Sequence, residues 1–275
     1  LIPTLVSLSL LAHAQDREQK QNTHVLSAAK EAALGAQLAG RVRRQSTPLG
    51  LIGVENYVAN VGLRLAAQIP NAQESWKFSV IRDCKVGSIN EPISLPGGWI
   101  FVPAELILAA HSEAEFAGML AHSMAHVAER HGVQQASEVN NLATIPVIFL
   151  VAPGCGDENG LVPSAYLSTR RQFELDADQV AVKLLNDAGF DAASLRSYIE
   201  RAHKQQTASP FSPLPPVSIR LNNLEQEIQD QAANGPYIIS TDLFQSIQAE
   251  VRSEILNSAL SKEAIAVPSL IHPKP

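Results

Sequence analysis

Ala121-His122-Ser123-Met124-Ala125-His126-Val127-Ala128-Glu129-Arg130-His131 is the stretch on which the reading of this chain turns. It lies within a run from Ser112 to about Val139 that reads as one helix, opened by a capping box in which Ser112 is followed three residues later by Glu115. At roughly 100° per residue, His122 and His126 fall within about 40° of each other, so both imidazoles can meet one ion. Taken alone, such a pair is more often a packed or solvated His pair than a metal site. His131 is turned about 140° away from His126 and is not expected to join the same ion from a regular helix.

A third ligand should come from another helix, and Glu174-Leu175-Asp176-Ala177-Asp178 offers one in the run from Tyr166 to Ala188 that Gly189 ends. Glu174 would bind the ion, while Asp178, one turn on, would accept a hydrogen bond from a ligating imidazole. Two His and one Glu leave a coordination position open, the pattern of a catalytic rather than a structural zinc. Without the histidines, the same acidic residues would read as a solvated helix face.

Around this pair of helices the chain alternates helix and sheet. Helices are expected from Thr23 to Arg44, with Val25, Ala29, Ala32, Ala33 and Leu38 inward, and from Val54 to Ile69, with Tyr57, Val61, Leu63, Leu65 and Ala66 inward. Lys77 to Arg82 has strand composition, and Ile93 to Val102 reads as two short strands about Pro96-Gly97-Gly98. Together they predict a small antiparallel sheet, with the strand between Pro92 and Pro96 at its edge because proline donates no N–H to a ladder. Ala192 to Lys204 suits a further helix, and the tail from Ile219 reads as two helical pieces.

Composition narrows the function. A formal net charge of -6, with Lys and Arg scattered, gives no basic footprint for nucleic acid. Leu1 to Leu11 is apolar and Ala12-His13-Ala14 has a signal-peptidase pattern, so residues 1–14 read as a secretory signal shortened at its start, a buried N-terminal helix being the alternative. An exported protein, periplasmic or extracellular, is expected. The longest later apolar run, Ala143 to Pro153, is far short of the ~20 residues needed to span a bilayer, so no transmembrane segment is expected in the mature chain. Cys84 and Cys155, the two cysteines, are read equally as a disulfide or as two thiols.

Several ordered motifs resemble metallopeptidase family forty-eight, that of the type I CAAX prenyl endopeptidases, and its soluble periplasmic branch in particular. They are Lys30-Glu31-Ala32-Ala33-Leu34-Gly35, Leu95-Pro96-Gly97-Gly98-Trp99-Ile100-Phe101-Val102, Glu113 to His122, His126 to His131, Glu174 to Asp178 and Ala188-Gly189-Phe190-Asp191. The resemblance implies a mainly helical α+β, zincin-like domain over residues 15–230 with a helical tail over 231–275. It also implies one Zn²⁺ on His122, His126 and Glu174, Asp178 behind them, and a polypeptide substrate lying along the strand that includes Gly98, Trp99, Ile100 and Phe101.

The chain departs from the family pattern at the position that matters most for hydrolysis. The family motif is H-E-x-x-H, and Ser123 stands where its glutamate would take a proton from the attacking water. Glu129 is a surface carboxylate or, less simply, a surrogate base. Beyond the third long helix the family places His-Pro and then Arg, the His stabilising an oxyanion with the Arg in support; here Arg220 matches but Leu214 replaces the His. Glu91-Pro92-Ile93 likewise replaces Asn-Ala-Phe. These departures imply impaired catalysis or, alternatively, a pseudoprotease that binds extended peptides at a zinc-stabilised cleft.

Overall fold

The computed structural model describes residues 26–70, 75–83, 91–137, 164–204, 212–231 and 235–266. The expected signal, Cys84, Cys155 and the apolar run 143–153 lie outside the described residues.

Helix α1 (Ala28–Arg44) starts at Ser27, whose hydroxyl accepts from the Lys30 N–H at 3.5 Å. Its buried face is Glu31, Gly35, Leu38, Ala39 and Val42, whereas Ala29, Ala32 and Ala33, expected inward, are exposed. Two contacts set this rotation. Glu31 accepts from Arg130 Nη2 at 2.6 Å and Nε at 2.9 Å, and Gly35 lets the helix approach the Pro96 carbonyl, with which an added Cβ would overlap.

The strands β1 (Thr47–Pro48), β2 (Lys77–Arg82), β3 (Ile93–Leu95) and β4 (Trp99–Pro103) form a sheet in the order β1-β2-β4-β3. Gly97 and Gly98, at φ 72° and 79°, turn the β3–β4 hairpin in backbone conformations that favour glycine. Among the described residues, strand β3, flanked by Pro92 and Pro96, pairs only with β4 and is the outer strand, as proline requires. The sheet is nevertheless mixed, not wholly antiparallel, because β2 runs parallel to β4 from Lys77 opposite Trp99 to Ile81 opposite Pro103. The hairpin takes one edge of β4, and β2 takes the other running in the same direction; local sequence signals reveal only the hairpin.

Alternation along the strands separates two apolar layers. Ile81, Ile93, Leu95 and Phe101 pack with Leu38, Ala39 and Val42 of α1, while Val80, Ile100 and Val102 face the main core. That core gathers α2 (Ile52–Ala66), α3 (Ala104–Ala109), α4 (Glu113–Ala128), α6 (Ser164–Ala188), α7 (Ala193–Ala202), α8 (Val217–Asp230) and α9 (Asp242–Ala266). Leu63, expected inward, is exposed. Helix α9 belongs to this core through Phe244, Ile247 and Val251, and Gln248 donates to the Ile107 and Ala110 carbonyls.

The metal-helix run is broken rather than continuous. Ser112 Oγ accepts from the Glu115 N–H at 3.1 Å, but the Glu115 carboxylate turns to the His111 N–H and Arg201. Helix α4 stops at Ala128, Arg130 adopts a left-handed φ of 56°, and His131 opens α5 (His131–Ser137). Arg130 also donates to the Leu26 carbonyl at 2.8 Å, so the break carries the clamp that fixes α1.

Gly35→Ala should destabilise the protein by about 1–3 kcal/mol through forced displacement of the Pro96 turn. Gly40→Ala, whose new methyl meets nothing closer than Arg44 Nη1 at 3.5 Å, should stabilise it by ~0.5–1 kcal/mol. Urea unfolding of both variants checks the pair; equal effects would contradict the close approach.

Candidate metal centre

Helices α4 and α6 cross with His122, His126 and Glu174 facing one another. His122 Nε2 and His126 Nε2 are 3.2 Å apart, His122 Nε2 is 3.4 Å from Glu174 Oε2, and His126 Nε2 is 3.7 Å from Glu174 Oε1. Zinc–ligand bonds of about 2.0–2.2 Å in a tetrahedron put ligand atoms roughly 3.3–3.6 Å apart, so the spacing is close to what that ion requires. Glu174 is 3% exposed, and its Oε2 is buried without a hydrogen-bond partner among the described residues. An orphaned carboxylate oxygen facing two imidazole nitrogens is costly unless a cation completes it. Among the described residues this is the one group of three or more His, Cys, Asp or Glu side chains arranged to hold a metal.

Asp178 lies one turn along α6 from Glu174, with Oδ1 2.9 Å from His122 Nδ1. Arg220 of α8 donates to it through Nε at 2.8 Å and Nη2 at 2.7 Å. Arg220 is 1% exposed, and its Nη1 is 3.9 Å from Glu174 Oε2. The arginine therefore sits behind the ligands and holds Asp178, an arrangement that α8's sequence did not reveal. Leu214 is buried nearby in the chain, after a turn in which its N–H donates to Ser212 Oγ.

The charges follow from this chain of contacts. Burial pulls His122 down, but the Asp178 and Glu174 carboxylates outweigh it and raise the ring to about 9. Burial, reinforced by the neighbouring histidines, keeps His126 well below its usual value. Burial would raise Glu174 and Asp178, yet His122 and His126 hold the first well below the carboxylate range and Arg220 leads in lowering the second. The pocket is thus built to keep two carboxylates ionised beside the positive charges of His122 and Arg220.

His131 is not among the converging ligands, although the break at Arg130 removes the regular helix from which its rotation was reckoned. Its Nδ1 is 3.1 Å from His126 Nδ1 and its ring stacks on Phe173 at 4.2 Å, behind a ligand rather than beside the ion. Burial lowers it to about 4. The His126–His131 spacing carried this neighbour in plain view, but only the helix break brings the rings together. Glu129 is exposed beyond the last turn of α4 and is not brought to the site.

Ser123 is buried, with Oγ 3.5 Å from the Pro92 carbonyl oxygen at the start of β3. Of the strand residues, Ile100 and Phe101 are buried on opposite sides of the sheet, and Arg43 and Lys77 lie over the Trp99 ring. Strand β4 is paired on both sides, so the sheet edge beside α4 belongs to β3.

The peptidase family M48 model matches residues 54–228, which contain the three candidate ligands, Asp178, Arg220 and Ser123. The chain belongs to peptidase family M48. Among curated M48-like relatives, a Vibrio cholerae protein named as a beta-barrel assembly-enhancing protease is 27% identical over 175 residues, covering 58% of this chain and 35% of that protein. The beta-barrel assembly-enhancing protease of Yersinia pestis is 21% identical over 222 residues, 76% of this chain and 44% of the relative. The mitochondrial metalloendopeptidase OMA1 of Schizosaccharomyces pombe is 28% identical over 151 residues, 53% of this chain and 43% of the relative. The chain therefore spans less than half the length of these relatives.

A cation must displace the proton that His122 carries below about 9, because only the neutral ring is a ligand. Zinc affinity should accordingly rise about tenfold per pH unit from near neutrality up to that value, with roughly one proton released per ion. Competition titrations against a chelator, corrected for its own protonation, check this; an affinity already flat between pH 7 and 8.5 would contradict it.

Proposed function

We propose that this M48 domain is a zinc metalloendopeptidase centre acting on extended polypeptide, slowed by the absence of the usual base at position 123. The observation that carries the reading is the buried convergence of His122, His126 and the partnerless Glu174 Oε2 at tetrahedral spacing. Zinc, when bound, polarises the scissile carbonyl and brings the pKa of the attacking water toward neutrality.

The chain's own residues do the rest. Asp178 fixes the His122 ring from behind, Arg220 fixes Asp178, and Arg220's oxyanion support is thereby indirect, exerted through the ligands. A substrate strand adds to the outer edge of β3, which packs against α4, in the manner of β-strand addition. Gly98 and Trp99 shape the turn that holds this edge, while Ile100 and Phe101 anchor it in the two apolar layers. Unfolded or misassembled envelope proteins, whose backbone is free to extend, fit such an edge, and the apolar start with Ala12-His13-Ala14 supports export. No helix among the described residues is long and apolar enough to cross a membrane. We read residues 15–230 as the catalytic unit and 231–275 as a helical C-terminal tail whose helix α9 packs into the same core.

A second reading, a pseudoprotease that holds peptide without cutting it, is favoured by Ser123 alone, since a buried hydroxyl against a carbonyl is no base. Ser123→Glu decides between the two. It should raise zinc-dependent cleavage of a disordered substrate by ~10² to 10⁴, followed by gel or fluorogenic assay. Stoichiometric zinc with no cleavage by either form would favour the pseudoprotease.

A further inference from the structure

His131 is buried, yet the hydrolytic chemistry described above makes no use of it. Its Nδ1 stands 3.1 Å from Nδ1 of His126, within hydrogen-bond range. The ring centroids are 5.1 Å apart and the planes cross at 78°, so the two nitrogens lie between the rings and face each other. The same His131 ring lies flat on Phe173, with 11° between the planes, and Phe173 immediately precedes the ligand Glu174 on α6.

The protons of this pair can be placed from the metal centre outward. His126 presents Nε2 to His122 and Glu174, and an imidazole binds a cation through an unprotonated nitrogen. The proton of a neutral, ligating His126 is therefore on Nδ1, where it needs an acceptor. Burial disfavours a charged His131, and a neutral ring that accepts at Nδ1 carries its own proton on Nε2. The two histidine ligands are thus backed by different chemistry: His122 by the Asp178 carboxylate at 2.9 Å, His126 by an uncharged imidazole.

The backbone is bent to make this contact. A regular helix would turn His131 about 140° away from His126, and the left-handed φ of 56° at Arg130 removes that regularity. Such a conformation is strained for a residue with a Cβ. Arg130 is held in it by Glu31, at 2.6 Å and 2.9 Å, and by the Leu26 carbonyl at 2.8 Å.

We propose that His131 is the positioning residue for the second zinc ligand: its Nδ1 accepts the His126 Nδ1–H and so fixes the ring and the tautomer that leave His126 Nε2 free for the ion. The proposal rests on the zinc reading of the site given above. His131 acts only through His126, and groups that orient a ligating histidine in this way are worth about 10- to 100-fold in metal affinity.

Two substitutions in the full chain separate the acceptor from the packing. His131→Phe keeps an aromatic ring for Phe173 but has no acceptor, whereas His131→Asn offers an amide oxygen in place of Nδ1 but no ring. Zinc affinity, measured by competition with a chelator, should fall about 10- to 100-fold in His131→Phe and be largely retained in His131→Asn. A histidine that serves only to fill the core gives the reverse order. Nitrogen-15 NMR of the unmodified, zinc-loaded chain reads the same point without any substitution. It should place the His126 proton on Nδ1, protected from exchange, and the His131 proton on Nε2.

Unchanged affinity in His131→Phe, a loss in His131→Asn as large as that in His131→Phe, or a His131 proton on Nδ1 would overturn the assignment while leaving the zinc site and its hydrolytic reading in place. Absence of stoichiometric zinc from the unmodified chain would remove both. Should either variant fail to fold, the proton positions in the unmodified chain decide.

Discussion

Arg220 is held at 1% exposure by two hydrogen bonds to Asp178, and the rest of the site is arranged around this buried pair. A guanidinium and a carboxylate removed from water are tolerated only when each is satisfied by the other and by further polar partners. Here the spare capacity of Asp178 goes to His122 Nδ1, which leaves Nε2 to face His126 and Glu174. Helices α4, α6 and α8 are therefore tied through charge at one point and through apolar packing elsewhere. Changing any member would expose an uncompensated charge in the interior.

A second tie acts just beyond the C-terminal end of α4. Arg130, in a left-handed conformation, ends the helix and grips Glu31 and the Leu26 carbonyl of the α1 segment. Helix α1 then presses Gly35 against the Pro96 turn, and that turn fixes β3 beside α4. The metal helix and the sheet edge are thus held in mutual register by residues outside the site. The same connection explains why a lysine-glutamate-alanine stretch, a proline-glycine turn and a histidine motif recur as separate segments of one sequence: they are parts of a single contact.

Much of this was legible beforehand, for identifiable reasons. Helical spacing puts His122 and His126 on one face whatever the tertiary fold, and the prolines at 92 and 96 force β3 to an edge because a missing N–H cannot be replaced. The sequence could not disclose features set by distant partners. The burial of Glu31 depends on Arg130, 99 residues away, and it rotates α1 so that alanines face solvent. The parallel pairing of β2 with β4 leaves no local turn signature. The end of α4 at Ala128 is imposed by the Arg130 clamp against a run of good helix formers, so His131 was placed by a regularity the chain does not keep.

Charge balance shows what the serine at 123 entails. A divalent cation and Arg220 bring three positive charges into a pocket where, with the histidines neutral, Glu174 and Asp178 supply two negative ones. In a low-dielectric interior an uncompensated unit charge is expensive, and it would also favour any anion over a neutral peptide carbonyl. A glutamate at 123 would close the balance, but the serine cannot.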